Sequence, residues 1–289
     1  MENKFNVIKE GKVLVDHGPI TMVIEARLKG QPYTHAAIAG AYEAIELLDK
    51  LSSQLYVAKK YIKDIAFDNR HEYPLVLKKM IESVELLEEP DFTPMASVAG
   101  TFADMVKAKV FEAGADYALV NNGGDISYQI PDTEEHMRIG VISDLSNSRP
   151  THVIKINANS GIKGACTSGF GGRSLTKGVA SSVTVLAASG SYADAAATSI
   201  ANATDCQDPS IIRCLAEELD YSTDIRGQLV TKHIGDMEKC NMETAVRNGL
   251  KRAKALYDKK MILGAVIFLK NYMAVYPEEP TDFTISAIY

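Results

Sequence analysis

The segment from Gly161 to Thr204 constrains this chain of 289 residues more than any other. It reads GIKGACTSGFGGRSLTKGVASSVTVLAASGSYADAAATSIANAT: a glycine-rich loop, an apolar strand, then a tight turn into a helix of small residues. Six of the 20 glycines fall between Gly161 and Gly178, a density that lets backbone N–H groups approach an anion such as a phosphate. The strand from Val179 to Ala188 places Val183 and Val185 on one face and Thr184 and Leu186 on the other. Gly190-Ser191 then opens a helix in which Asp194 and Thr198 lie four apart, one turn from each other on one face. A carboxylate and a hydroxyl so spaced suit a hard cation such as Mg2+, which prefers oxygen and bridges to substrate phosphates. Two plainer readings stay open: Ser191-x-x-Asp194 also fits a helix capping box, and Thr198 also fits a buried, Ala-rich helix.

Upstream, Phe5 to Ile8 and Val13 to Val15 flank the turn formers Glu10-Gly11-Lys12, and Ile20 to Leu28 follows as a third strand. The period then changes. Ile38, Ala41, Ile45, Leu48, Leu51, Leu55, Ala58 and Ile62 step by three and four, which predicts one long amphipathic helix with Thr34 as its N-cap. Further helices are expected from Pro74 to Leu87, from Met95 to Glu112 with Gly114 as the stop, around Ile211 to Glu218, and from Met242 to Lys259. Tyr117 to Asn121 and Asp125 to Ile130 read as strands joined across Asn122-Gly123-Gly124, a turn that demands positive φ. Ile139 to Ile142 and His152 to Ile156 are further strands around a loop from Asp144 to Pro150, and Met261 to Leu269 is another. Residues 277–289, with Pro-Glu-Glu-Pro, read as a loosely held tail. No short-period repeat stands out. Strands and helices come in blocks rather than in strict alternation, so the expected class is α+β with a mainly antiparallel sheet, as one domain over 1–289 or two intimately joined halves. No GxGxxG opens a helix after the first strand, which leaves a dinucleotide-binding parallel sheet without support.

A net charge of −6 argues against a nucleic-acid surface, since phosphate backbones need basic clusters. The run from Met261 to Leu269 is far too short to span a bilayer, and the N-terminus carries no apolar signal region, so no membrane is expected and the chain is placed in the cytoplasm. Cys166, Cys206, Cys214 and Cys240 form no CxxC and share no metal spacing with histidine, which reads as reduced thiols. Cys166 has two readings: a thiolate stabilised by the donors of its glycine-rich loop, or a small buried hydrophobe.

Two blocks of motif carry a resemblance. Thr167-Ser168-Gly169, Ser182-Val183-Thr184-Val185 and Ala193-Asp194-Ala195-Ala196-Ala197-Thr198 form one; Gly100-Thr101-Phe102-Ala103-Asp104 followed by Ala118 to Ile126 with its Gly-Gly-Asp turn forms the other. Together, over roughly residues 93–204, they resemble the ApbE superfamily, whose best-known members are FAD:protein FMN transferases. The resemblance implies an ApbE-like, T-fold-related architecture, FAD as the nucleotide and Mg2+ as the cation. It assigns Asp194 the catalytic role and makes Asp194 and Thr198 metal ligands, with a backbone carbonyl near Val98 or Ala99. Gly100, Asn121, Gly123, Gly124, Asp125, Thr167, Ser168 and Gly169 would face the nucleotide, and a protein would be the partner. Two departures stand out: Ala99 replaces the family's lysine before Gly100, and Gly171 to Gly178 replaces its His-x-x-Asp-Pro-x-Thr-Gly segment. Arg173 and Lys177 could supply positive charge there instead. This pattern resembles the uncharacterised cytoplasmic branch of archaea and anaerobic bacteria. The implied functions are FMN transfer or FAD pyrophosphate cleavage; the alternative is an accessory, sulfur-handling protein in sulfur assimilation or homocysteine synthesis, without flavin transfer.

Overall fold

Apolar residues alternate from Ile20 to Ala26, and the strand they form buries Ile20, Met22, Ile24 and Ala26 on one face. The computed structural model of the chain describes residues 4–68, 70–144 and 149–288. Residues 145–148 of the expected loop between Asp144 and Pro150 lie outside the described residues, as do 1–3, 69 and 289. The chain divides into two compact units: Met1–Glu135 with Lys163–Cys166 and Ala188–Asp194, and His136–Ile162 with Thr167–Ala187 and Ala195–Tyr289.

In the first unit the strands are β1 (Phe5–Lys9), β2 (Lys12–His17), β3 (Ile20–Leu28), β4 (Gln31–Pro32), β5 (Tyr117–Asn122) and β6 (Asp125–Gln129). Consecutive strands pair antiparallel, β3 with β5 through Met22↔Asn122 to Arg27↔Tyr117. The helices are α1 (Thr34–Ser52), α2 (Leu55–Ala58), α3 (Leu75–Glu85) and α4 (Val98–Glu112). They cover the inner sheet face, where Ala41, Ala44 and Leu47 meet Ile24, Val106 and Val110 in one apolar cluster. Gly40 brings α1 against α4: an ideal Cβ there would lie 2.8 Å from Val110 Cγ2.

The long helix expected through Ile62 stops at Ser52. Ser52 Oγ donates to Asp49 O and Ser53 Oγ to Lys50 O, both at 2.8 Å, and serine hydroxyls that bond local carbonyls compete with the helical ladder. Nor does Thr34 cap α1. Tyr33 occupies that position without a side-chain cap, while Thr34 Oγ1 accepts Gly11 N–H at 2.8 Å and ties down the β1–β2 turn.

In the second unit, β7 (His136–Val141), β8 (His152–Asn157) and β15 (Phe283–Ala287) form a three-stranded sheet in the order β15-β8-β7. Strands β10 (Ser182–Ala187), β13 (Gly264–Leu269) and β14 (Tyr272–Tyr276) pair antiparallel, and β10 and β13 are buried throughout. Helix α7 (Lys239–Asp258) buries Ala245 and Val246 against Val179, Ile211 and Leu269. Strand β9 (Gly164–Ser168) lies inside the segment read as a glycine-rich loop; its residues Gly164 and Ala165, which belong to the first unit, pair with β6 through Ile126↔Ala165 and Ser127↔Gly164.

Two further expectations are corrected. Ile211–Leu215, read as helix, is β11 and pairs with β12 (Leu229–Ile234), with only α6 (Ala216–Leu219) helical after it. The stretch 277–289, read as a loose tail, contains β15, in register with β8 from Phe283↔Ile156 to Ala287↔His152. Phe283 is 1% exposed and lies against Gly264, where an ideal Cβ would overlap its ring. Burying that aromatic anchors the strand. The observed class is mixed helix and antiparallel sheet.

Candidate functional site

Helix α5 (Gly190–Ala203) carries Asp194 and Thr198 four residues apart. Asp194 does not fold back on its own helix as a capping box would. Its Oδ2 accepts Gly100 N–H at 2.8 Å, and Ala99 N–H also donates to the carboxylate. These are among the first N–H groups of α4, which no helical carbonyl can satisfy, so Asp194 is a long-range cap for another helix. The contact is close because the first turn of each helix carries a glycine: an ideal Cβ on Gly100 would run into the Gly190 carbonyl and approach Asp194 Cβ to 2.8 Å.

The reverse contact also exists. Asp104 on α4 accepts Gly190 N–H and Ser191 N–H, each at 2.9 Å, at the start of α5. Ser127 Oγ donates to Asp104 Oδ1 at 2.6 Å, and Lys107 Nζ lies 3.4 Å from the same oxygen. Burial lowers the Lys107 ammonium below its ordinary range. Nothing in the local sequence marks Asp104 or Ser127 for these contacts, whose partners lie 23 to 87 residues away.

Asp194 sits in a different field. Burial holds its carboxyl well above the usual carboxylate range, the charges of Asp125 and Asp104 push it the same way, and the Gly100 and Ala99 N–H bonds oppose them. Part of its surface remains accessible even so. Clustered carboxylates with a desolvated member are an arrangement a divalent cation relieves. Asn122 Nδ2 donates to the Ala99 carbonyl at 3.2 Å, which fixes the backbone before Gly100. Among the described residues no group of three or more His, Cys, Asp or Glu side chains is placed to hold a metal. Any cation here would therefore draw on mixed oxygen donors, the Asp194 carboxylate and main-chain carbonyls. That donor chemistry fits Mg2+.

Asn121, Gly123, Gly124 and Asp125 form the β5–β6 hairpin end. Register Asn122↔Asp125 leaves a two-residue loop with φ 68° at Gly123 and 112° at Gly124, and Asn121 Oδ1 accepts Gly124 N–H at 2.9 Å. Both glycines are exposed, so a ligand can reach their backbone. Gly100, Asn121, Gly123, Gly124, Asp125 and Asp194 all belong to the first unit. Thr167, Ser168, Gly169 and Thr198 belong to the second, where Thr167 Oγ1 lies 2.8 Å from Thr184 Oγ1 and Ser168 is buried.

Cys166 is fully buried and its thiol donates to Gly190 O at 3.3 Å. Burial and the charges of Asp125, Asp194 and Asp104 push the thiol well above its ordinary value. The thiolate reading fails on this ground, because an uncharged interior thiol is a poor nucleophile. Arg173 is exposed.

A family model described as AbpE bacteria matches residues 5–275. The chain belongs to the AbpE bacteria family. Its relatives include a protein of Methanococcus vannielii, 33% identical over 215 residues, which span 71% of this chain and 83% of the relative. A protein of Methanococcus aeolicus is 37% identical over 155 residues, and one of Methanothrix thermoacetophila is 34% identical over 154. These two alignments span 51% and 53% of this chain but only 60% of each relative's length. All three carry the name UPF0280 protein, which states no activity. Among solved structures, a flavin transferase ApbE from Vibrio cholerae is 12% identical with TM-score 0.48 over 96% of both chains. The apo flavinyl transferase ApbE of Pseudomonas stutzeri is 13% identical with TM-score 0.46, over 92% of this chain and 90% of that one. No helix of the described residues is long and apolar enough to cross a membrane.

Proposed function

We propose that this AbpE family member binds a flavin nucleotide through a divalent cation held at Asp194, and acts on the FAD pyrophosphate. The observation that carries the reading is the state of Asp194: a carboxylate held by two backbone N–H groups, desolvated, and facing the negative charges of Asp125 and Asp104. Asp194 and Thr198 would hold Mg2+. When bound, the cation supplies charge neutralisation on the bridging phosphate oxygens.

The chain's own groups do the rest. The Ala99 and Gly100 N–H bonds fix the orientation of the Asp194 carboxylate. The Gly123-Gly124 backbone, open at the hairpin tip, suits close approach of a phosphate or ribose. By motif resemblance alone, Thr167, Ser168 and Gly169 would offer hydroxyl and backbone donors to a phosphate. Without the lysine at position 99 and the His-x-x-Asp-Pro segment, the attacking group is either water, releasing FMN and AMP, or a hydroxyl of a protein partner, which keeps FMN as a phosphoester and releases AMP. Motif resemblance to FAD:protein FMN transferases and membership of the AbpE family support this reading.

The test is product analysis after incubating the chain with FAD and Mg2+, alone and with a threonine-containing acceptor protein. AMP with equimolar free FMN means cleavage; AMP with flavin on the acceptor means transfer. No AMP under any condition, with FAD intact, refutes the turnover.

A further inference from the structure

Two segments ninety residues apart share one pattern: Gly100-Thr101-Phe102-Ala103-Asp104 and Gly190-Ser191-Tyr192-Ala193-Asp194. Each places a glycine in the first turn of a helix, third in α4 and first in α5, and an aspartate four residues later. The two glycines meet back to back: a Cβ on Gly100 would overlap the Gly190 carbonyl, and one on Gly190 would lie 2.9 Å from Gly100 O. Ala103 and Ala193 are both fully buried. Each aspartate accepts N–H bonds from the first turn of the other's helix.

The two copies differ in how their carboxylates are employed. Asp104 is engaged on both oxygens, by Gly190 N–H, Ser191 N–H, Ser127 Oγ and Lys107 Nζ. Asp194 is held by main-chain donors and faces acidic neighbours. Four residues beyond each aspartate stand Ala108 and Thr198, so only the second copy retains a further oxygen.

We propose that Asp104 is the positioning residue for Asp194: it clamps the first turn of α5, and with it the carboxylate four residues on, in a duplicated and reciprocal device of which one copy became structural. The proposal rests on the reading of Asp194 as the cation-holding group. Removing Asp104's second acceptor oxygen frees one α5 amide and loosens the turn that aims Asp194. Loss of such an outer partner typically weakens metal binding about 10- to 100-fold.

The experiment uses the intact chain, Asp104→Asn, and Mn2+ alone as the probe, with its binding followed by electron paramagnetic resonance and amide exchange followed by NMR. Expected results are wild-type Gly190 and Ser191 amides as protected as those of mid-α5, at least one exchanging about 10-fold faster in the variant, and Mn2+ affinity falling about 10-fold or more. Unchanged exchange together with unchanged Mn2+ affinity overturns the proposal. If the variant does not fold, wild-type exchange still decides: unprotected Gly190 and Ser191 amides overturn the clamp. A wild-type chain with protected amides that binds no Mn2+ refutes the cation reading of Asp194 and leaves the clamp itself standing.

Discussion

Gly100→Ala is the substitution that probes the site's geometry most sharply. The new methyl would enter the Gly190 carbonyl and press on Asp194 Cβ at 2.8 Å. The carbonyl is main chain, so no flexible side chain can give way. Overpacking of this kind costs about 1–3 kcal/mol. To clear the methyl, α4 and α5 must part, and the 2.8 Å Gly100 N–H bond to Asp194 lengthens beyond hydrogen-bonding range. Losing a hydrogen bond adds about 0.5–1.5 kcal/mol. The sum is about 1.5–4.5 kcal/mol, a fall in melting temperature of about 5–10 °C. Gly30→Ala is the control: nothing lies within 4 Å of its Cβ, so only backbone conformation is penalised, at about 1–2 kcal/mol. Calorimetric melting of the three proteins decides. A Gly100→Ala protein within about 0.5 kcal/mol of wild type, the range of a neutral surface change, would refute the close helix approach.

Three further outcomes are expected. Because the folded chain raises the Asp194 carboxyl, the neutral form is favoured and its stabilisation is lost as pH rises above the unfolded value of 3.8 through the raised one. In chelator-treated protein, Asp194→Asn should therefore melt close to wild type near pH 4 and progressively above it at higher pH, whereas a gap that does not vary with pH contradicts the burial argument. A thiol reagent should modify exposed Cys240 in the native state and reach Cys166 only on unfolding, and Cys166→Ala should keep nucleotide binding; native-state labelling of Cys166 would reinstate thiol chemistry. Phe283→Ala should cost about 3 kcal/mol and speed amide exchange along β8, and unaltered exchange there would show that β15 is not anchored by this ring.

Much of the first unit is legible in the sequence because its strands alternate cleanly and its turns carry glycine. Ile20 to Leu28 is a strand with the expected ends, and Gly123-Gly124 is the expected hairpin loop. The failures share a physical cause, in that tertiary partners outweighed local pattern. Ile211–Leu215 precedes the helix-favouring Ala-Glu-Glu-Leu and was absorbed into it, whereas pairing with β12 makes it a strand. Residues 277–289 look polar and proline-rich, and only the ring of Phe283 against Gly264 reveals a buried strand. At the site, the Asp194–Thr198 spacing was readable from helical periodicity, but the roles of Asp104, Ser127 and Lys107 were not. Their partners lie 20 or more residues away for Ser127 and nearly ninety for Gly190 and Ser191. The signal that could have found Asp104 is the recurrence of a glycine, a small hydroxyl residue, an aromatic, an alanine and an aspartate at 100–104 and 190–194.

The proposed function requires Asp194 to hold a cation that in turn holds the nucleotide. The direct measurement is calorimetric titration of the wild-type chain and of Asp194→Ala with FAD, each with and without Mg2+. The account predicts Mg2+-dependent FAD binding by the wild type and its loss in the variant. FAD binding that is the same without Mg2+, or that survives Asp194→Ala undiminished, would contradict it.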